Sequence, residues 1–509
     1  MTMWLNAFTN QITMYRLMLY YLLALVLSAV LFSWLGWLPF QPLAVLLSAG
    51  FIVAVCWLSN FTLAKLFKVV VNDESVYITS LILTLIITPG AVGHELEFMT
   101  LAGLASVLAM ASKYLVVFRK QHLFNPATLG VALAALIVGQ GATWWVGVGP
   151  MMPLVLLGGL LIVKKIQRFD LVISFFAVHI TAVAMLGVLN FPDTLLTLWR
   201  MAAYSPIFFL SLVMLTEPLT TPPTRKLRMV YGALVGIFYA PNFHIGPWYL
   251  SPELALLAGN IFSYAVGYKE KLILQLTAKN KVAADVYDFV FRSPRPLKFK
   301  PGQYLEWTLA TASPDSRGNR RYFTIASSPT EPELHLGVKF YPKPSSFKQS
   351  LVNLSVGSNV VAAQRAGDFT LPSNPQKKLA FIAGGIGITP FRSMVKYLLD
   401  TRQRRDVVLF YSAATPTDFA YQEIFDQAQT ELGMKTVYTI TDTHSANLAW
   451  RGRTGHLTAE IIKQAAPDYL DRIFYISGSR GMVEAFAKTL KQLGVKPWHI
   501  KKDFFPGYA

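Results

Sequence analysis

The chain has 509 residues, 53% of them hydrophobic and 15% charged, with a mean hydropathy of +0.41. Soluble domains carry about 25% charged residues, so composition argues against a wholly soluble protein. The net charge of +18 comes with no basic recognition motif, which argues against a nucleic-acid partner. The lone Cys56 excludes an internal disulfide, a cysteine-ligated zinc site and an iron–sulfur cluster held by this chain alone.

The opening segment, "MTMWLNAFTNQITMYR", lacks a basic n-region and a small-residue cleavage site, so the first apolar run reads as a retained helix. Up to about Gly267 the chain alternates long apolar runs with short polar loops. About ten spans are expected, centred on 22–35, 46–58, 78–87, 101–117, 129–142, 154–163, 172–189, 207–215, 231–239 and 254–266. With the N-terminus placed inside, the inner loops carry "KLFK", "FRKQH", "KKIQR", "TRKLR" and "YKEK", whereas the outer loops carry almost no basic residues. That is the positive-inside pattern. It implies a multi-pass protein of the cell (inner) membrane with both termini cytoplasmic. "SLILTLIITPG" (80–90) and "SLVMLTEPLTTP" (211–222) are weakly alike and fall third and eighth in the order, where a five-plus-five inverted repeat would match them. Chance likeness of Ser-Leu-rich helices is the competing reading.

Three stretches, "DESVYITSLILTLIITPG", "HLFNPATLG" and "LTEPLTTPPTRKLRMVYGAL", resemble the NqrB/RnfD membrane subunits of ion-translocating oxidoreductases, in that family's order. The resemblance implies a membrane-bound flavin such as FMN. It also implies that Asn125, Pro126, Glu217, Pro218 and Thr220 line a flavin or ion path. "GQGATWWVG" (139–147) holds a Gly-Ala-Thr of the kind to which that family esterifies flavin, which makes Thr143 a candidate attachment point; the family's leading serine is Gln140 here. The alternative is a helix end at the membrane surface, with Trp144 and Trp145 as interfacial anchors.

From about Tyr268 the texture becomes that of a soluble protein. Strand-like alternation with Gly/Pro punctuation over 268–374 predicts an antiparallel β-barrel. From 375 to 509, apolar strands followed by helical patterns predict a parallel α/β Rossmann-like domain. "RYFT" (321–324), "SSFKQSL" (345–351), "GDFTLP" (367–372), "GGIGITP" (384–390) and "YISGSRGM" (475–482) together resemble the ferredoxin–NADP reductase superfamily. The resemblance implies that Arg321 holds the FAD pyrophosphate, that Tyr322, Phe323 and Thr324 adjoin the flavin, and that Ser345 and Ser346 hold phosphate oxygens. It further implies that Gly384, Gly385, Gly387, Thr389 and Pro390 cradle the nicotinamide dinucleotide, with Gly478 and Met482 behind it. Ser477 stands where the family usually has a cysteine, and Phe505 where related enzymes place an aromatic over the flavin. Thr324, Ser477 and Phe505 are therefore the candidates nearest the chemistry. No arginine after "FYSAA" is placed to pair a 2′-phosphate and Asp418 follows, which favours NADH; Arg480 is the remaining phosphate candidate.

One histidine within a predicted span, His179, cannot build bis-histidine haem sites. The expected enzyme is thus an FAD-dependent NAD(P)H oxidoreductase. Three readings remain open at this point: electron export through flavins to an extracytoplasmic acceptor, redox-driven Na⁺ or H⁺ translocation, and a membrane-anchored quinone reductase.

Overall fold

The computed structural model describes residues 12–67, 73–92, 95–118, 121–147, 149–190, 194–241, 243–246, 248–267, 271–309, 315, 319–446 and 450–503. Two compact units emerge, Ile12–Lys269 and Glu270–Ala509.

The first unit is helical. Its main helices are α1 (Met14–Trp34), α2 (Pro42–Phe67), α3 (Asp73–Ile86), α4 (Leu96–Leu115), α5 (Pro126–Val138), α6 (Met152–Ile166), α7 (Phe169–Asn190), α8 (Thr194–Tyr204), α9 (Arg225–Phe238) and α10 (Pro252–Val266). Between α8 and α9, a turn at Ile207–Phe209 runs into a π-helix, Leu210–Met214. Among the described residues, four helical segments rather than ten are long and apolar enough to cross a membrane: Met14–Trp34, Pro42–Phe67, Leu96–Leu115 and Gly149–Ile166. Shorter apolar helices cover Glu74–Ile86, Pro126–Val138 and Phe169–Met185. The count falls because the chain interrupts its own apolar runs. Thr88-Pro89-Gly90 follows α3, Asn125-Pro126 opens α5, and the π-helix replaces a full eighth span. Asn125 caps α5, its Oδ1 accepting the Thr128 N–H at 3.1 Å, and Gly139 ends the helix in a left-handed conformation (φ 77°).

Packing recurs along this unit. α1 meets α3, α2 meets α4, and α4 meets α5; α6 meets the Ile207–Met214 segment, α7 meets α9, and α9 meets α10. The first members of the two series, α1 and α6, touch each other, as do the last, α5 and α10. Many large apolar side chains face outward, among them Leu27, Trp34, Leu58, Leu136, Ile137, Leu157, Ile173 and Ile261.

The second unit holds two sheets. The first contains β1 (Leu272–Ala283), β2 (Val286–Arg292), β3 (Tyr304–Thr308), β4 (Arg320–Thr324), β5 (Leu334–Lys339) and β6 (Asn359–Ala366), with the short α11 (Ser346–Val352) beside it. The order is β4-β3-β6-β1-β2-β5, and the end strands β4 and β5 also meet, so the antiparallel sheet closes into a barrel. β1 opens with alternating buried and exposed residues, as a strand with one face on a core must.

The other sheet is parallel: β7 (Leu379–Gly384), β8 (Val407–Ala413), β9 (Lys435–Ile440), β10 (Arg453–Thr454), β11 (Ile473–Ser477) and β12 (Ile500–Asp503), in the order β10-β9-β8-β7-β11-β12. Its helices are α12 (Thr389–Asp400), α13 (Gln422–Leu432), α14 (Ala459–Ala465) and α15 (Arg480–Gln492). β7 reads "LAFIAG" and is buried almost throughout, because apolar clusters cover both faces of the sheet. The second unit is thus an antiparallel barrel followed by a parallel α/β domain.

The N-terminal edge of the parallel sheet is clamped by Arg472. Its guanidinium makes paired contacts to Asp406 (2.8 and 3.1 Å) and to Asp468 (2.6 and 3.1 Å) and donates to the Leu379 carbonyl. Partial desolvation pushes the Asp468 carboxyl up, but hydrogen bonds from Arg472 and Lys378 outweigh it and hold the group at about 2, below its ordinary 3.8. A depressed carboxyl stabilises the fold above its unfolded value and loses that contribution as pH falls through the folded value. Melting of the full chain should therefore fall off between about pH 4 and about pH 2, and Asp468→Asn should flatten that acid limb in fluorescence melts.

Candidate functional site

Strands β8, β9 and β10 lie on one side of β7, and β11 and β12 lie on the other. β7 and β11 therefore flank the point where strand order reverses, the place where open α/β sheets bind ligands beyond their C-terminal edge. β7 delivers Gly384 there. A turn, Gly385–Ile388, leads into α12, whose first residues are Thr389 and Pro390. A Cβ on Gly387 would lie 2.4 Å from the Ser477 carbonyl oxygen and 2.6 Å from the Gly478 nitrogen. The glycine loop thus rests directly on the end of β11. Gly385 has φ +51°, and no atom lies within 4 Å of where its Cβ would stand. That bare backbone over open space fits a dinucleotide phosphate at the start of α12, where free N–H groups favour anions.

The other predicted residues fall around this loop and on β4. Met482 sits beneath it, since a Cβ on Gly384 would meet the Met482 sulfur at 2.0 Å. Thr389 Oγ1 donates to the Ile386 carbonyl at 3.3 Å. Ser477 is buried at the end of β11. Phe505 lies outside the described residues. On β4, alternation puts Arg321 and Phe323 on one face. Arg321 lies 5.4 Å over the Phe347 ring, and Phe323 lies 5.8 Å from that ring. Tyr322 and Thr324 take the other face, with the Tyr322 hydroxyl 3.3 Å from Gln364. Ser345 caps α11 by accepting the Lys348 N–H.

One contact tests the fit to a phosphate-bearing cofactor. Asp315 Oδ2 accepts the Ser346 N–H at 3.0 Å, its N–H donates to Ser346 Oγ, and its other oxygen is 3.9 Å from Arg321. The carboxylate stands in for a phosphate oxygen on the donors that the sequence assigned to the FAD pyrophosphate. The residues present fit the group.

Sequence reasoning missed Asp503. Sheet register pairs it with Ser477, and desolvation pushes its carboxyl up to about 7. Its signal was an acid just ahead of the aromatic tail "DFFPGYA". Asp418, weighed as a nucleotide-reading residue, has a carboxylate engaged by Thr415 and by Lys339 at 3.3 Å, and Arg480 pairs with Glu484 at 2.7 Å.

A second cluster lies inside the helical unit. Asn125 Nδ2 donates to Glu217 Oε2 at 2.7 Å, and Thr220 Oγ1 lies 3.3 Å from the same oxygen. The Asn125 N–H donates to Asn260 Oδ1 at 3.0 Å, and Asn260 Nδ2 donates to the Tyr231 hydroxyl at 2.9 Å. Asn125, Glu217 and Thr220 thus come together, with Pro126 buried at the start of α5. Asn260 and Tyr231 were missed; the signal was a lone amide within the apolar run "LLAGNIF". Nearby, Arg228 pairs with Asp170 at 2.9 Å.

The GQGATWWVG loop differs from its expected role as a surface anchor. Trp144 and Trp145 are buried, 1% and 5% exposed. Trp145 Nε1 donates to the Thr84 and Ile87 carbonyls, and the Trp144 N–H donates to the Ile86 carbonyl. The loop therefore supplies donors to carbonyls left free where α3 ends. Trp144 Nε1 also donates to Glu253 at 2.6 Å, in the first turn of α10. Trp144 adopts φ +54°, a conformation unusual for a residue with a side chain. Thr143 is left exposed on this rigid support, its hydroxyl 2.8 Å from that of Thr88.

Residues 381–488 match the family model of the oxidoreductase NAD-binding domain. The C-terminal half is an oxidoreductase module. The chain is 28% identical over 225 residues to a glycine betaine monooxygenase reductase subunit of Chromohalobacter salexigens, covering 43% of this chain and 60% of that protein. It is 26% identical over 265 residues to an NADH-cytochrome b5 reductase of Ajellomyces capsulatus, covering 49% and 84%. Among solved structures, the FAD/NAD-binding domain of a Vibrio cholerae nitric oxide dioxygenase aligns with 46% of this chain and 98% of its own, at 21% identity and a TM-score of 0.41. The chain thus spans about 60% of the length of the first of these relatives. The NAD-binding match runs from within β7 through the glycine loop and β8 to β11 into α15.

Proposed function

We propose that this protein is a membrane NAD(P)H oxidoreductase. In this reading, cytosolic NAD(P)H reduces FAD in the oxidoreductase module, and electrons pass through a flavin in the helical unit to an extracytoplasmic acceptor. The observation that carries it is one chain joining the glycine-loop cradle at the β7–β11 switch point to a helical unit that turns apolar side chains outward. An exposed apolar belt of that kind is what a bilayer would cover.

FAD, when bound, supplies hydride acceptance and single-electron release. Arg321 and the start of α11 would hold its phosphates, and β4 would present Tyr322, Phe323 and Thr324 beside it. Gly384–Gly387 and the start of α12 take the dinucleotide. Ser477 and Asp503 border the nicotinamide end, where desolvation pushes the Asp503 carboxyl above its ordinary range. In this reading the helical unit sits in the cell membrane, and its outward-facing apolar side chains support that location. Exposed Thr143, held on the Trp144–Trp145 support, is the attachment point for an FMN.

Sealed proteoliposomes with NADH trapped inside and ferricyanide outside test the route. External acceptor should be reduced without detergent; reduction only when donor and acceptor share a side would instead indicate a same-side reductase such as a quinone reductase. Denatured full-length protein should show flavin fluorescence that Thr143→Ala removes. The Glu217–Asn125–Asn260 cluster supports a second reading, redox-driven Na⁺ or H⁺ movement, because an ionisable side chain inside a membrane is expensive unless it serves a path. Under that reading, turnover in the same vesicles depends on Na⁺ or acidifies one compartment.

A further inference from the structure

Within the second unit, the segment after β4 is grasped by the helix after the glycine loop. Arg392 and Ser393 are the fourth and fifth residues of α12. Arg392 Nη1 donates to the Ala326 carbonyl at 3.0 Å, and Ser393 Oγ donates to the Ser327 carbonyl at 2.6 Å. Ala326 and Ser327 lie two and three residues beyond Thr324. The two segments that the proposed reaction needs to face each other are therefore tied within a few residues of their motifs.

A buried charge network supports that tie. Arg392 grips Glu331 with both Nη atoms, at 2.5 and 2.9 Å. Its guanidinium lies 5.4 Å over the Tyr421 ring. The Tyr421 hydroxyl donates to Asp288 at 2.9 Å, and His335 Nδ1 lies 2.6 Å from the other Asp288 oxygen. His335 Nε2 returns to Glu331 at 3.8 Å. Glu331, His335 and Asp288 belong to the barrel, whereas Arg392 and Tyr421 belong to the α/β domain.

Two details mark this as more than general packing. Tyr421 takes φ +60°, a left-handed backbone that residues with a Cβ rarely adopt, and the conformation presents its ring to Arg392. Gly337 of β5 leaves room for the approach: a Cβ there would meet the Tyr421 hydroxyl at 2.5 Å and Thr389 Cγ2 at 2.8 Å. Thr389 is the first residue of α12.

We propose that Arg392 and Glu331, backed by Tyr421, Asp288 and His335, form a latch that sets the distance and angle between the nicotinamide loop and the flavin-binding strand. Arg392 is then a positioning residue for hydride transfer. The proposal rests on the NAD(P)H–FAD reading above. Hydride transfer is sensitive to such placement, because a misplacement of about 1 Å can cost roughly a hundredfold in rate.

The test uses full-length, FAD-loaded protein in detergent, mixed anaerobically with NADH in a stopped-flow instrument. Arg392→Lys keeps the charge and loses the two-pronged grip. Gly337→Ala leaves every charge in place and wedges Thr389 and Tyr421 away from the barrel. In both variants flavin reduction should slow by about tenfold or more. FAD content should stay within about twofold of wild type in both variants, and so should the Kd for NAD⁺ in Arg392→Lys, which leaves Thr389 in place. The long-wavelength charge-transfer absorbance between nicotinamide and flavin should weaken, and the isotope effect with deuterated NADH should change. A merely structural role would leave both signatures unmoved in the FAD-loaded fraction. Wild-type reduction rates in both variants overturn the latch, as does slowing that only tracks lost FAD. If the wild-type flavin is reduced by neither NADH nor NADPH, the oxidoreductase reading fails first, and the latch fails with it.

Discussion

Gly387→Ala is expected to abolish nearly all NAD(P)H-driven flavin reduction while leaving FAD bound. The new methyl would stand 2.4 Å from the Ser477 carbonyl oxygen and 2.6 Å from the Gly478 nitrogen. Both are backbone atoms of a strand end fixed by pairing to β7 and β12, so neither can yield as a flexible side chain would. The glycine loop must lift, and the dinucleotide must lift with it. A displacement of that size predicts a loss of about a hundredfold or more in kcat/KM for NAD(P)H. Gly385→Ala is the matched control. It meets no atom within 4 Å but carries the φ of +51°, so it costs backbone strain without the collision. Steady-state kinetics of both variants, with flavin absorbance as the loading check, decides the matter. Equal activity in the two would show that the contact between loop and β11 is dispensable.

Arg321→Ala is expected to strip the module of FAD. Arg321 is buried on β4, and its guanidinium lies against Phe347 at 5.4 Å, beside the Ser346 N–H that Asp315 occupies. Removing one partner of a buried charged contact costs about 3 kcal/mol, which corresponds to roughly a hundredfold in Kd. Arg321→Lys should recover only part of the loss, because an ammonium cannot reproduce the planar fork. Fluorescence titration of the apo protein with FAD reads both values. An unchanged FAD Kd in Arg321→Ala would remove Arg321 from the cofactor site.

Much of the second unit was legible as text. "KLAFIAGG" reads as a buried strand because a parallel strand with helices on both faces has no solvent side to alternate towards. "GGIGITP" marks its own turn, since glycine takes φ +51° at Gly385 without strain and alone fits the close approach at Gly387. Asp503 and Arg392 were not legible. Their roles depend on which strand lies beside β11 and which carbonyls face α12, and neither property has a local signature.

The helical unit divides in the same way. Hydropathy located its apolar runs but overstated how many continue as full-length helices, because it does not register where hydrogen bonding breaks at Pro89 or passes into the π-helix at Leu210–Met214. The tryptophan pair shows the difference most directly. By themselves Trp144 and Trp145 read as residues that sit at a membrane surface. The fold buries both, because the end of α3 leaves carbonyls without partners and the two tryptophans supply the donors. What the sequence determined on its own were the features encoded by period and by residue type: apolar runs, the glycine loop and the Arg-x-aromatic-Thr strand. Only the tertiary structure decided which distant polar groups meet. It joined Asn125 to Glu217 and Asn260, Trp144 to Glu253, and Arg392 to Glu331. A buried hydrogen-bonding group must find a partner, but nothing in its local sequence says from which helix or strand that partner comes.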